Sequence, residues 1–298
     1  MSTIEKALGR LRRPGRNHAV DGNAPPEPVL PLDNKSKGVE PPPVFDTQAP
    51  MLEVDINRLR KLGVQPPLRL ERQMRDEYRR IKRPLIANAL GRGAPAIERG
   101  NLIMITSAVA GEGKTFTSIN LALSIAHDPD LSVVLVDGDV SRAHASKLLG
   151  VQDRPGLVDL LADDRLGAGQ VVMPTSIESL YVLPAGKQHA DSEELLSSAR
   201  MERIVAALAD PSPRRIILFD SAPLLGTPEA CALSSNVGQV VMVVKASSTL
   251  RHQVTSAIEQ LDPNKAINLV LNQSFGGPGG DDYGGYYGGY YGTADRSS

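Results

Sequence analysis

Eight residues, Ala108-Val109-Ala110-Gly111-Glu112-Gly113-Lys114-Thr115, place two glycines, a lysine and a threonine in an order suited to holding phosphate. An apolar run, Leu102-Ile103-Met104-Ile105, precedes them and reads as a buried strand. Residues Phe116 to Leu123 follow and read as a helix. Strand, glycine turn and helix in that order aim backbone N–H groups and the positive end of a helix dipole at one point. The expected nucleotide contacts are Ala110, Gly111, Glu112, Gly113, Lys114, Thr115 and Phe116. Lys114 would reach the terminal phosphates, and the Thr115 hydroxyl would hold Mg²⁺. Ala108 stands where the strict pattern has Gly, so the match is to its relaxed form.

Two acidic positions extend this chemistry. Asp220 ends the apolar run Ile216-Ile217-Leu218-Phe219, where a carboxylate would order Mg²⁺ through water. Asp137 and Asp139, in Val136-Asp137-Gly138-Asp139, end a second run. A carboxylate here could also accept a proton from an attacking group, and Asp137 is better placed because it directly ends the strand. The alternative reading of Asp139 is the cap of a following helix. Asn272 closes a later strand, where its amide would read a base or make a turn.

The elements that position these residues alternate. Strands are expected at 102–106, 133–136, 180–183, 216–219, 240–244 and 267–271, with helices such as 192–208 and 250–261 between them. The strands are short, β-branched and without polar alternation, so both sheet faces should be covered. The fold class is α/β: a doubly wound, mostly parallel sheet of the P-loop NTPase type, with helices on both faces and ligands at the carboxyl ends of its strands.

Composition divides the chain further. Residues 1–13 form a short amphipathic helix or a frayed basic terminus: Ile4, Ala7, Leu8 and Leu11 share a helical face, and Ser2 and Glu5 have capping-box spacing. Residues 14–50 hold nine prolines and read as an extended linker. Residues 51–275 are the folded domain, opening with an ordered segment that ends at Gly63 and a helix from about Leu68 to Ala89, with Pro84 as an expected kink. Residues 276–298 are a flexible Gly/Tyr tail holding five of the seven tyrosines. A net charge of −1 gives no global pull toward nucleic acid. No run of eighteen apolar residues exists to span a membrane, and the N-terminus lacks a signal-peptide core. The single Cys231 forms no internal disulfide, which suits a reducing cytoplasm.

The stretches Gly111-Glu112-Gly113-Lys114-Thr115, Leu135-Val136-Asp137-Gly138-Asp139 and Ile217-Leu218-Phe219-Asp220-Ser221-Ala222-Pro223 together resemble the bacterial tyrosine kinases of exopolysaccharide systems. Glu193 to Ser198 resembles a helix-opening segment of that family, and the opening Ser2 to Leu8 is most similar to its exosortase-associated autokinases. The resemblance implies ATP and Mg²⁺, with Thr115, Asp137 and Asp220 at the metal and Lys114, Asp137 and Asp139 in catalysis. It implies autophosphorylation at Tyr283, Tyr286, Tyr287, Tyr290 and Tyr291, favoured in trans. Glu77, Arg80 and Arg83 match the family's Glu-x-x-Arg-x-x-Arg ring-forming helix. The partners implied are further copies of the chain in a ring, a membrane polysaccharide co-polymerase as activator and a protein-tyrosine phosphatase. The place implied is cytoplasmic, recruited to the inner face of the plasma membrane. The chain departs from the family at Val140-Ser141-Arg142-Ala143, where many members have Arg-Pro after the second aspartate; Arg142 is the arginine available here. Partition-type ATPases carry a further lysine where this chain has Val109. An ATP-driven assembly switch and a nucleotide-binding scaffold remain the competing readings.

Overall fold

A computed structural model describes residues 45–92, 97–189, 191–209, 212 and 214–274, and for Glu193 the backbone alone. All of them lie in the compact unit Glu40–Ser298. The expected N-terminal helix, most of the proline-rich linker and the tyrosine tail fall outside the described residues.

Among the described residues the domain is built on a seven-stranded sheet. In chain order its strands are β1 (Leu102–Ser107), β2 (Ser132–Asp137), β3 (Met173–Pro174), β4 (Leu180–Leu183), β5 (Arg215–Asp220), β6 (Gln239–Lys245) and β7 (Ala266–Asn272). Their spatial order is β3-β4-β2-β5-β1-β6-β7, and every pairing is parallel except β3 with β4. Every residue of β1, β2, β4 and β5 is buried, as continuous apolar runs between two helical layers require. β3 escapes periodicity because it has two residues, one of them Pro174.

The helices are α1 (Ile56–Lys61), α2 (Glu71–Ala89, entered through a 3₁₀ turn at Leu68–Leu70), α3 (Lys114–Ala126), α4 (His144–Leu149), α5 (Leu157–Ala162), α6 (Ala168–Val171), α7 (Ser192–Leu196), α8 (Ala199–Ala209), α9 (Pro228–Ser235) and α10 (Arg251–Ile258). α3 lies between the sheet and α2, and nine of its thirteen residues are buried. α2 meets it with Tyr78, Leu85 and Ala89 fully buried and Met74 and Ile81 half-buried. Tyr78 thus belongs to the packed stripe. The helix runs unbroken through Pro84, which is exposed, so the hydrogen bond that Pro cannot donate is lost on the solvent side.

Two expectations change. The single helix at 192–208 is two, α7 and α8. The Ser198 hydroxyl donates to the Leu195 carbonyl at 2.7 Å and accepts from Met201 N at 3.3 Å, so it ends one helix and caps the next. The folded domain also starts before residue 51. Phe45 is buried, its N–H donates to the Tyr181 hydroxyl at 3.2 Å, and Gln48 N donates to the Gly169 carbonyl at 2.8 Å. The Arg215 guanidinium sits 4.9 Å from the Phe45 ring centroid. Proline content marked the linker, but a single buried aromatic anchors its end.

Truncating the α2 stripe should be costly where its solvent face is not. Leu85→Ala is expected to lose about 2–5 kcal/mol in urea unfolding, and Arg80→Ala to stay within about 0.5 kcal/mol.

Candidate active site

The turn after β1 ends at Gly113, whose φ of 94° is left-handed, and α3 begins at Lys114. No side chain caps α3, so its first N–H groups remain available to an anion. Ala110 and Gly111 are exposed at the tip of the turn, Gly113 and Thr115 are half-buried, and Glu112 and Lys114 are buried. Phe116 packs its ring toward the core between α2 and the sheet. The turn is therefore an open rim of backbone on a buried base.

Parallel register sets Asp137 of β2 opposite Asp220 of β5. Both carboxylates are buried. One oxygen of Asp137 accepts from the Ser146 N–H and hydroxyl, each at 2.7 Å. One oxygen of Asp220 accepts from the Ser118 hydroxyl at 2.9 Å, and the nearby Thr115 hydroxyl favours the charged carboxylate. The remaining oxygens, Asp137 Oδ1 and Asp220 Oδ2, find no hydrogen-bond partner among the described residues. Burial, then the neighbouring Asp137, pushes Asp220 up to about 7; burial, with Asp139 adding to it, pushes Asp137 up to about 6. Burial lowers Lys114, opposed by the charges of Asp220 and Asp139.

Two orphaned carboxylate oxygens beside a threonine hydroxyl make a hard, oxygen-only donor set. That suits Mg²⁺, which binds through one or two carboxylates plus phosphate and water. No group of three or more His, Cys, Asp or Glu among the described residues could hold an ion unaided. Glycine at position 138 lets the chain pass close to Asp220: its N–H donates to the Asp220 carbonyl at 2.7 Å, and a Cβ there would press on Leu233 and that carbonyl.

Asp139 is buried beside this pair and accepts Arg142 N at 3.2 Å, while its carbonyl accepts Ala143 N at 2.7 Å. It shapes the turn before α4, whose N-cap is Ala143 and whose first residue is His144. Asn272 reaches the phosphate turn, and its amide donates to the Glu112 carbonyl at 2.9 Å. The fold thus gathers the turn, Lys114, Thr115, Asp137, Asp139, Asp220 and Asn272 at the carboxyl end of the sheet. Glu77, Arg80 and Arg83 stand elsewhere, exposed on α2.

Ser118 and Ser146 were missed. Ser118 could have been found, since it lies one turn after Lys114 on the same helix face. Ser146 had no signal, because the stretch around it carries no clear period.

The raised carboxylates imply a pH dependence of fixed sign. A carboxyl raised on folding stabilises the fold while it keeps its proton. That contribution is full below the ordinary value near 4 and is lost as pH rises through about 6 to 7. Metal-free protein should therefore melt at a lower temperature at pH 8 than at pH 5.5. Added Mg²⁺ should narrow the gap, and Asp220→Asn should flatten it; a native profile that rises toward pH 8 would contradict the assignment.

Known proteins agree with this geometry. The AAA domain family matches residues 100–270. The tyrosine-protein kinase Wzc of Salmonella typhi is 29% identical over 192 residues, covering 62% of this chain and 26% of its own. The chain thus spans about a quarter of the length of that relative. The tyrosine-protein kinase YwqD of Bacillus subtilis is 30% identical over 172 residues, covering 57% of this chain and 71% of its own. The kinase domain of the Escherichia coli tyrosine kinase ETK superposes with a TM-score of 0.53 at 26% identity, over 58% of this chain and 67% of that one. With the phosphate turn, the paired acids and the sheet order already in place, the chain belongs to the AAA domain family, in its group of bacterial tyrosine-protein kinases.

Proposed function

We propose that the chain is an ATP-dependent protein-tyrosine kinase that phosphorylates its own C-terminal cluster, Tyr283, Tyr286, Tyr287, Tyr290 and Tyr291. One observation carries this reading. β7 ends at Asn272 against the phosphate turn, so the tyrosines follow in sequence from a residue at the site. Tyr283 lies eleven residues beyond Asn272, a reach of at most about 40 Å.

In the proposed reaction a tyrosine oxygen bonds to the γ-phosphorus of ATP, and the bond from that phosphorus to the β–γ bridging oxygen breaks. ADP leaves, and the phenolic proton passes to a carboxylate. Asp137 suits that acceptor role because the Ser146 contacts hold one of its oxygens in place and leave the other unpartnered. Asp139, buried alongside, supports it. Lys114 and the N–H groups of the turn hold the γ-phosphate in line. Thr115, Asp137 and Asp220 would hold Mg²⁺, which neutralises charge on the transferring group.

The exposed Glu77, Arg80 and Arg83 are free to meet a second copy, and a ring would bring a neighbour's tail to the site. Transfer in trans follows from that arrangement. Each phosphotyrosine adds roughly −1.5 to −2 charges, and several on one tail would loosen a ring built on α2. A membrane polysaccharide co-polymerase would activate the kinase at the inner face of the membrane, a phosphatase would reset it, and exopolysaccharide polymerisation and export would be the regulated process. The exosortase-associated subtype belongs to this proposal as well.

The test mixes two proteins with Mg²⁺ and ATP. One is the Lys114→Met chain, with its tail intact. The other has all five tail tyrosines changed to Phe and keeps its turn. Phosphotyrosine on the Lys114→Met chain is the expected result and establishes transfer in trans. Lys114→Met alone should lose roughly a hundredfold or more in rate. ATP hydrolysis without phosphotyrosine from the native chain, even with the activator's cytoplasmic segment present, would favour an assembly switch.

A further inference from the structure

Glu112 is a charged side chain placed where charge is unwelcome. It lies in the turn that would hold a polyanion, and it is 1% exposed. Its two oxygens are fully used, and not on the turn alone. Oε2 accepts from the Val109 N–H at 2.9 Å, inside the turn. Oε1 accepts from Lys245 N at 3.3 Å, at the end of β6, and from the Thr249 hydroxyl on the segment after it. Thr249 Oγ1 in turn accepts from Lys245 N at 3.1 Å, which closes a small cycle. The backbone of the same residue is held from a third side: its carbonyl accepts the Asn272 amide at the end of β7.

The neighbours show how tightly this junction is drawn. Gly113 is left-handed, and a Cβ on it would collide with the Asn272 amide. Ser247 and Gln273, on the two tethered segments, are also left-handed, at φ of 54° and 55°. Non-glycine residues hold that conformation only where surrounding contacts fix it. The two segments are also joined, since Ala246 N donates to the Asn272 carbonyl at 2.9 Å.

Sheet order says what these segments would face. The turn follows β1, with β5 and β2 on one side and β6 and β7 on the other. The paired acids, Asp220 and Asp137, mark the β5–β2 side as the γ-phosphate end. A nucleoside triphosphate lying across the turn must therefore carry its nucleoside toward β6 and β7, over residues 245–249 and 272–274. We propose that Glu112 is a positioning residue that fixes the spacing between the phosphate turn and this nucleoside wall, and so sets how much the nucleoside adds to binding. The proposal rests on the ATP reading above.

Glutamine is not a neutral replacement here. Both carboxylate oxygens accept, whereas a carboxamide accepts on one side and offers a donor to donors on the other. Glu112→Gln should sever one arm of the brace. Thr249→Val should weaken the β6 arm alone, and Thr249→Ser should keep it.

The experiment compares Mg²⁺–ATP with Mg²⁺–tripolyphosphate as ligands of the full chain, by calorimetry. Tripolyphosphate fills the phosphate subsite without touching the wall. For Glu112→Gln the ATP Kd is expected to rise ~10-fold, equivalent to about 1.4 kcal/mol, while the tripolyphosphate Kd moves less than about 3-fold. Thr249→Val should show a smaller shift of the same selectivity, and Thr249→Ser should match the native chain. Thr249→Val, which changes nothing in the turn's own sequence, guards against a Glu112 variant that misfolds. Equal weakening of both ligands in Thr249→Val, or unchanged ATP affinity in both Glu112→Gln and Thr249→Val, would overturn the brace. A native chain that binds tripolyphosphate no less tightly than ATP would remove the nucleoside wall, and the proposal with it.

Discussion

Two carboxylates side by side in the centre of a sheet are the constraint to which the rest of this structure answers. Asp137 and Asp220 are register partners on β2 and β5, and each is shut away from water. Buried charges of one sign are strongly unfavourable unless hydrogen bonds, an opposing charge or a lost proton relieve them. All three reliefs are present. Ser118 and Ser146 each engage one oxygen, Lys114 sits opposite, and the pKa values rise. What remains unrelieved is one oxygen on each acid, the pair that the proposed reading gives to a metal ion.

The scaffold makes this arrangement affordable through helix α3. It carries Lys114 at its first residue, Thr115 at its second and Ser118 one turn on, so a single rigid body delivers three groups to the acids. It is held on one face by the sheet and on the other by α2, and nine of its residues are buried. The side of α2 that packs on α3 is apolar, and the outward side is rich in arginine. One helix thus supports the active centre from behind and offers a charged surface to other molecules.

Much of this was legible in the chain. Apolar runs ending in Asp, Asp and Asn located the strands and the carboxyl edge of the sheet, because parallel buried strands leave no polar alternation to confuse the reading. The glycine turn was plain for the same reason: few other sequences serve its geometry. What stayed hidden depends on distant partners. Glu112 looks like one more loop residue until Lys245 and Thr249, more than 130 positions later, are folded against it. Ser198 looks like a helix interior until its hydroxyl competes with the backbone. Phe45 looks like part of a proline-rich linker until it meets Tyr181 and Arg215.

The last described strand has a consequence for how such a protein can change over generations. β7 completes its pairing with β6 at Asn272, and Asn272 Oδ1 takes the next N–H, that of Gln273, at 2.9 Å. The backbone obligations of the sheet end there. The described strands, and the helices that cover them, all lie before that turn. Asn272 thus closes the sheet and holds the phosphate turn at once, so a change at this one position is tested twice in every generation.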